Sequence, residues 1–456
     1  MTYNRQSVAS TNIKAIDMTI SLVPSKDSTL DIQKAIDKCF LQGGGIVTLE
    51  KGEYHIKGIR LRSNVNLHLK SGAHLIASRN PDDYYTLAND DIEPMPKGFC
   101  KPDLIWTPAD KRKDICFITD SGSRWNNAII RLQDATNASI TGEPDSYIDG
   151  RNSFDPIGEE HMRGVHGITA FNCKGLHFSG IELRHIGNWA FRIAWSQDLT
   201  FKDLTAIAGH DGIHVRGCDR IHIENCILHT GDDAIAGFDN QDVSISKCDL
   251  NTACSAFRFG GTRVNIEDCI AHGPGIYPIR HSLPRSILEA GGNGEENTGR
   301  RNMLSFFTYF SDFTQSVRQQ PGEITIRRCK CKSIDRLIHY NFSGNELWQR
   351  NRPLADIKLS EIEAQDVGMS LCAYGDSEIP TTLILENCQI TFRTQQTEFL
   401  RCAHLKEVRL ENITVKGVDG PLIRSWSGDI PYTAEKIDGV QTKIEIESTN
   451  FETAPI

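Results

Sequence analysis

Long hydrophobic runs are missing from this 456-residue chain. Nowhere do about 18 apolar residues follow one another, so no membrane-spanning helix is expected. Residues Met1–Ile20 have polar residues spread throughout and hold no apolar stretch of signal-peptide length, so a cytoplasmic protein is expected, or a secreted one if a leader has been removed. Positive charge is also short: 50 Lys and Arg stand against 59 Asp and Glu, a net charge of −9, which argues against a nucleic-acid surface. None of the 14 cysteines has CxxC spacing, which leaves a zinc ribbon or a redox pair without a basis. The Gly-rich runs lack phosphate-loop spacing, so no nucleotide site is expected.

What the chain does have is a repeat. The apolar triplets Leu176-His177-Phe178, Leu199-Thr200-Phe201, Ile221-His222-Ile223, Val243-Ser244-Ile245 and Val264-Asn265-Ile266 begin 23, 22, 22 and 21 residues apart. Each alternates apolar and polar positions, as a strand with one buried face does. A period this short leaves no room for a helix of about ten residues or more, so successive coils must pair strand on strand. The pattern predicts a parallel β-helix. Ile324-Thr325-Ile326, Ile357-Lys358-Leu359, Leu383-Ile384-Leu385 and Val408-Arg409-Leu410 continue it, and Val65–Leu69 and Ile140-Thr141-Gly142 precede it.

A repeat array overrides the usual division of a long chain, so residues 1–456 are expected to form one β-helix domain. Its open N-terminal end needs a cover. Residues 31–42 supply an amphipathic helix, with Ile32, Ala35, Ile36, Cys39 and Phe40 on one face and Gly43-Gly44-Gly45 beyond it. Residues 80–115 and 283–321 are too long for solenoid turns and are expected as insertions flanking a groove. Cys226, Cys248, Cys269, Cys329 and Cys388 each stand five residues after the start of their triplet. They are read as small buried hydrophobes stacked coil over coil, and such unpaired thiols suit a reducing compartment.

Two segments interrupt the alternation with acids: Gly209-His210-Asp211-Gly212 and Thr230-Gly231-Asp232-Asp233. Asp and Gly are also ordinary turn residues. Yet Asp211 and Asp232 are 21 residues apart, one coil, and neighbouring parallel strands lie about 4.8 Å apart. Three carboxylates so close repel one another, and at least one should hold its proton near neutrality. A protonated acid beside an ionised one is what cleavage of a glycosidic bond requires.

The chain resembles the polygalacturonase family of glycoside hydrolases, pectin-degrading right-handed parallel β-helix enzymes. Gln33-Lys34-Ala35-Ile36-Asp37 with Gly43-Gly44-Gly45-Ile46-Val47 is similar to the family's opening, as are Ser63–Leu69, and Ile148-Asp149-Gly150 to the stretch ahead of its catalytic coils. Gly231-Asp232-Asp233 matches the family's Gly-Asp-Asp in full, while Asp211-Gly212 matches the end of its Asn-Thr-Asp-Gly. The resemblance implies that Asp232 is the general acid and that Asp211 and Asp233 hold the attacking water, with inversion at the anomeric carbon. Where the family's Gly-His-Gly falls, this chain reads Ala253-Cys254-Ser255. His210, in the column of Asp232 one coil earlier, is expected to bond that acid from the opposite side. The family's Arg-Ile-Lys has a partial counterpart in Ile279-Arg280-His281-Ser282, which makes Arg280 and His281 candidate substrate contacts. His214, Arg216 and Arg258 are further candidates, Arg258 being expected above Ala236 and His214 on the outer wall.

The expected function is therefore hydrolysis of a galacturonic-acid-containing oligo- or polysaccharide, exo-acting at chain ends, with no cofactor, metal, nucleic acid or membrane partner called for. A polysaccharide lyase and a non-catalytic carbohydrate-binding β-helix such as an adhesin are the alternatives on this fold. One rule runs against inversion: carboxyls about 5 Å apart mark retention, and inversion needs about 6.5–9.5 Å.

Overall fold

A computed structural model describes residues 18–84, 127–279, 299–311, 318–343, 347–349 and 352–447. Within them the chain winds as a right-handed parallel β-helix, the hand that a right-twisted strand imposes on parallel crossovers. Most coils contribute strands to three parallel ladders, and every strand pairing is parallel. The triplets fall in one ladder with the register expected: Leu176, Leu199, Ile221, Val243, Val264, Ile324, Ile357, Leu383 and Val408 are successive partners. Two residues further along, Ile20, Val47, Leu67, Ile140, Phe178, Phe201, Ile223, Ile245, Ile266, Ile326, Leu359, Leu385 and Leu410 form a ladder that crosses almost the whole molecule. All but Ile20 are buried, so each coil hides apolar area against the coil beside it.

The corner that follows this ladder is made the same way each time. Asp203, Asn225, Lys247, Asp268, Arg328, Glu361, Asn387 and Asn412 all take a positive φ between 51° and 55°, the left-handed region that Asn and Asp tolerate best. Their side chains pair along the stack, as from Asn225 to Asp203 at 2.6 Å and Asn412 to Asn387 at 2.7 Å. The next residue is the cysteine column. Cys226, Cys248, Cys269, Cys329 and Cys388 are buried, and all twelve cysteines among the described residues are free and buried.

The helix spans Ser28–Leu41 and starts earlier than read from sequence, because Asp27 caps it by accepting from the Leu30 N–H. Ile32, Ala35, Ile36 and Cys39 face the first coils, whereas Phe40 is 40% exposed and does not belong to the buried face. The insertion expected over 283–321 needs correction. Met303–Tyr309 is a ladder strand that pairs Ser305 with Ser255 and Phe307 with Phe257, so the aromatic cluster there is core. Its alternation is hidden in sequence because both faces of this strand are buried, which gives a continuous apolar run. Of the insertion expected over 80–115, only 80–84 are described; Pro81–Asp83 form a short 3₁₀ turn and Tyr84 is buried.

Candidate active site

The strands Phe191–Ala194, Ile213–Arg216, Ile235–Ser246, Ser255–Glu267 and Met303–Tyr309 stack in that order, and the turn before each carries polar residues. Ile213 pairs with Ile235, so Asp211 lies in the column of Asp233 and His210 in that of Asp232. The backbone fixes this: Gly212 N–H donates to Asp233 O at 3.0 Å and Asp232 N–H to His210 O at 3.3 Å. Gly212 is required there, since a Cβ would sit 2.5 Å from the Ala234 carbonyl oxygen. Thr230 Oγ1 and Thr252 Oγ1 both donate to Asp232 O, and Ser255 N–H donates to Asp233 Oδ1 at 3.1 Å.

The three carboxylates therefore meet in one cleft, each no more than 4% exposed. Burial pushes Asp211 well above the usual carboxylate range, and the Asp232 and Asp233 charges push it further; Arg163 and Arg258 only partly oppose them. Burial also raises Asp233, against the pull of Arg258. The crowded site thus favours the protonated form of at least one carboxyl, in the direction the coil spacing predicts.

Arg163, which the sequence reading did not single out, is the cation on Asp232. Its Nη2 lies 3.2 Å from Asp232 Oδ2 and 3.3 Å from Glu160 Oε1, and its Nη1 lies 3.5 Å from Asn188 Oδ1. It sits after the 3₁₀ turn Glu159–His161, 69 residues before Asp232, and no periodic signal in the sequence links the two. Arg258 stands where expected, in the column of Ala236 and His214. Its Nη1 is 3.4 Å from Asp233 Oδ2, and its guanidinium lies 4.3 Å from the Phe310 ring and 5.2 Å from the Trp348 ring, two rings set edge to face that hold the planar cation in place.

The ring shown bonded to an acid is that of His214, whose Nδ1 lies 2.7 Å from Asp211 Oδ2. His214 stacks on Trp189 at 3.8 Å with 5° between the planes. Burial, then the charges of Arg216 and Arg258, hold it well below the usual histidine range, which favours the neutral ring. His210 is fully buried beneath the Asp232 column and is not a solvated turn residue. Arg216, also buried, lies over Phe238 at 5.7 Å. Cys254 takes the place of the histidine the resemblance leads one to look for. Its thiol lies within 4.8 Å of carboxylate oxygens of Asp232 and Asp233, and burial with the Asp233 and Asp232 charges pushes it well up, which favours the S–H form. Arg280 and His281 lie outside the described residues.

Buried acids on successive coils of a right-handed solenoid, steadied by two guanidiniums, define a carbohydrate-active β-helix protein. Residues 120–254 match the profile of glycosyl hydrolases family 28, a span that includes Asp211, Asp232, Asp233 and Cys254. The resemblance to polygalacturonases holds, and the chain is a polygalacturonase-like glycoside hydrolase. Its fold is similar to a hyperthermoactive exopolygalacturonase from Thermotoga maritima, with TM-score 0.60 and 12% identity over 87% of this chain and 92% of that one. A family 28 exopolygalacturonase from Yersinia enterocolitica gives 0.55 and 14% over 96% and 79%. The surface adhesin PfbA of Streptococcus pneumoniae gives 0.54 and 13% over 88% and 90%. No curated protein matches the chain by sequence. Among the described residues no helix is long and apolar enough to cross a membrane.

Proposed function

We propose that the cleft hydrolyses galacturonate-containing, pectin-type oligo- or polysaccharides by acid/base catalysis with inversion, removing sugars from the chain end. The observation that carries the reading is the buried carboxylate trio, too crowded for all three groups to ionise freely. Asp232 protonates the leaving oxygen, and Asp211 with Asp233, facing each other across one coil, hold the water. The proton that crowding keeps on the Asp211 and Asp233 side must pass to Asp232 when substrate arrives, because Arg163 lies against Asp232 before binding. Arg258, 21% exposed in its side chain, supplies a planar cation for a uronate carboxylate. The two exopolygalacturonase-like folds favour chain-end action. So do the free thiols, which suit a reducing cytoplasm where imported oligosaccharides are the substrate at hand.

A reducing-sugar assay on galacturonan, with neutral glycans beside it, tests the reading. Asp232→Asn is expected to lower kcat about 10²–10⁴-fold with KM little changed. Unaltered galacturonan turnover in the variant, or no turnover in the parent chain, sinks it and leaves the binding-module reading that the adhesin's fold also suits. Retention has one observation in its favour: carboxylate oxygens of Asp232 and Asp233 lie within 4.8 Å of each other. NMR of the first-formed anomer decides between them, and the inverted product is expected.

A further inference from the structure

A second cluster lies outside the acid cleft, on the ladder that precedes it. His229, Asp249 and His272 come from the strands Ile227–Thr230, Asp249–Thr252 and Ile270–His272, which are successive partners. Register sets His229 on Asn251 and Asp249 on Ile270, so the two rings flank Asn251 from either side, edge to face at 5.7 Å. Asp249, two residues before Asn251, points from the same face of its strand. Its Oδ1 lies 2.9 Å from His272 Nε2 and 3.5 Å from His229 Nε2. One nitrogen or oxygen from each of the three lies within 4.8 Å of the others.

The 3.5 Å between His229 and Asp249 is that of two ligands around one ion, while the 2.9 Å contact of His272 with Asp249 is a hydrogen bond that an ion would replace. Bonds of about 2.0–2.2 Å to a tetrahedral metal put ligand atoms about 3.3–3.6 Å apart. His229 Nε2 is buried without a hydrogen-bond partner among the described residues. Both hydrogens of Asn251 Nδ2 have carbonyl acceptors, His272 O at 2.6 Å and Pro274 O at 3.0 Å. Its 3.2 Å contact with His272 Nδ1 therefore leaves that ring's tautomer free to change. Among the described residues the ion pairs of Asp249 are with these two imidazoles alone, so no Lys or Arg opposes a cation. The other acid–thiol grouping, Asp232, Asp233 and Cys254, has Arg163 and Arg258 on its carboxylates, and those charges exclude one.

We propose that His229, Asp249 and His272 bind a divalent transition-metal ion of the zinc type, which clips three consecutive coils together. Two imidazoles and a carboxylate suit such an ion better than Mg²⁺ or Ca²⁺, which take oxygen ligands. Side-chain exposures of 22%, 47% and 37% for His229, Asp249 and His272 leave room for water to complete the shell. The proposal goes beyond the glycosidase reading and does not rest on it.

The full chain, stripped with EDTA, is titrated with Zn²⁺ by calorimetry and followed by thermal melting, with Mg²⁺ as the oxygen-preferring control. One equivalent of Zn²⁺ and a raised Tm are expected, with no response to Mg²⁺. His229→Gln and His272→Gln should each weaken binding about 100-fold or more, while Cys254→Ser leaves it unchanged. Zinc binding that survives both histidine substitutions, or that disappears in Cys254→Ser, overturns the proposal, as does a parent chain that binds none. Should a histidine variant melt lower than the parent without metal, protection of His229 and His272 in the parent from diethyl pyrocarbonate decides. Protection by Zn²⁺ supports the site, and unchanged modification overturns it.

Discussion

Asp211 is a carboxylate whose surroundings strongly oppose ionisation. Burial comes first, then the Asp232 and Asp233 charges. The folded state therefore binds this proton more tightly than the unfolded chain does, whose ordinary value is 3.8. The sign follows from linkage: the stability Asp211 contributes is full below that value and is lost as pH rises through the folded one. Across that window the loss is about 1.4 kcal/mol per pH unit. Asp211→Asn keeps the shape and removes the titration, so it is expected to melt higher than the parent at neutral pH. The gain should shrink steadily on acidification, which melting curves between pH 4 and 8 will show; a constant difference would mean that Asp211 titrates normally. At the same scale, Arg163 is the residue that sequence reading misses. Its place on Asp232 depends on a short turn 69 residues upstream, and an arginine flanked by Glu159 and Glu160 reads in sequence as a solvated local ion pair.

At the scale of the element, one coil is stable only against its neighbours. Ile245 belongs to the long ladder, between Ile223 and Ile266, and is fully buried. Truncating it to Ala removes contacts to both adjacent coils and leaves a cavity that strands held by their backbone ladders cannot close. A loss of about 2–5 kcal/mol is expected, read from the denaturant midpoint with unchanged slope. A loss below about 1 kcal/mol would show that the coils relax independently. The corners carry information that the apolar pattern alone does not. Five of the eight left-handed corner residues cited above are Asn or Asp, but Lys247, Arg328 and Glu361 adopt the same φ, so the neighbouring coils impose the corner even where local preference opposes it.

For the molecule as a whole, the stack is held by apolar ladders and backbone pairing, with no cross-link among the described cysteines. Burial raises the thiols of Cys173 and Cys218 to about 12, and the column cysteines Cys226, Cys248 and Cys269 are at most 2% exposed, out of a reagent's reach. Thiol titration is thus expected to label the ladder cysteines only after denaturant unfolds the chain, and a reductant should leave Tm unchanged. Fast labelling of the native protein at Cys226, Cys248 or Cys269 would contradict the packed column. The fold itself does not decide between catalysis and binding, since an adhesin shares it at nearly the same similarity as the hydrolases. The proposed chemistry lies in the turns before the strands Ile213–Arg216, Ile235–Ser246 and Ser255–Glu267.

The sequence by itself determined the period, the buried ladder, the cysteine column, the N-terminal cover and the meeting of Asp211, Asp232 and Asp233. Each follows from a local alternation repeated at one-coil spacing, and a solenoid turns equal spacing along the chain into adjacency in space. Only the tertiary structure decided that Arg163 faces Asp232, that the His214 ring bonds Asp211, and that His229, Asp249 and His272 converge. The strand Met303–Tyr309 was settled there too, because burial on both faces erases the alternation that marks its neighbours. Outward-facing polar residues bury no repeating apolar surface, so their partners depend on side-chain reach and on turns of irregular length, which periodicity does not encode.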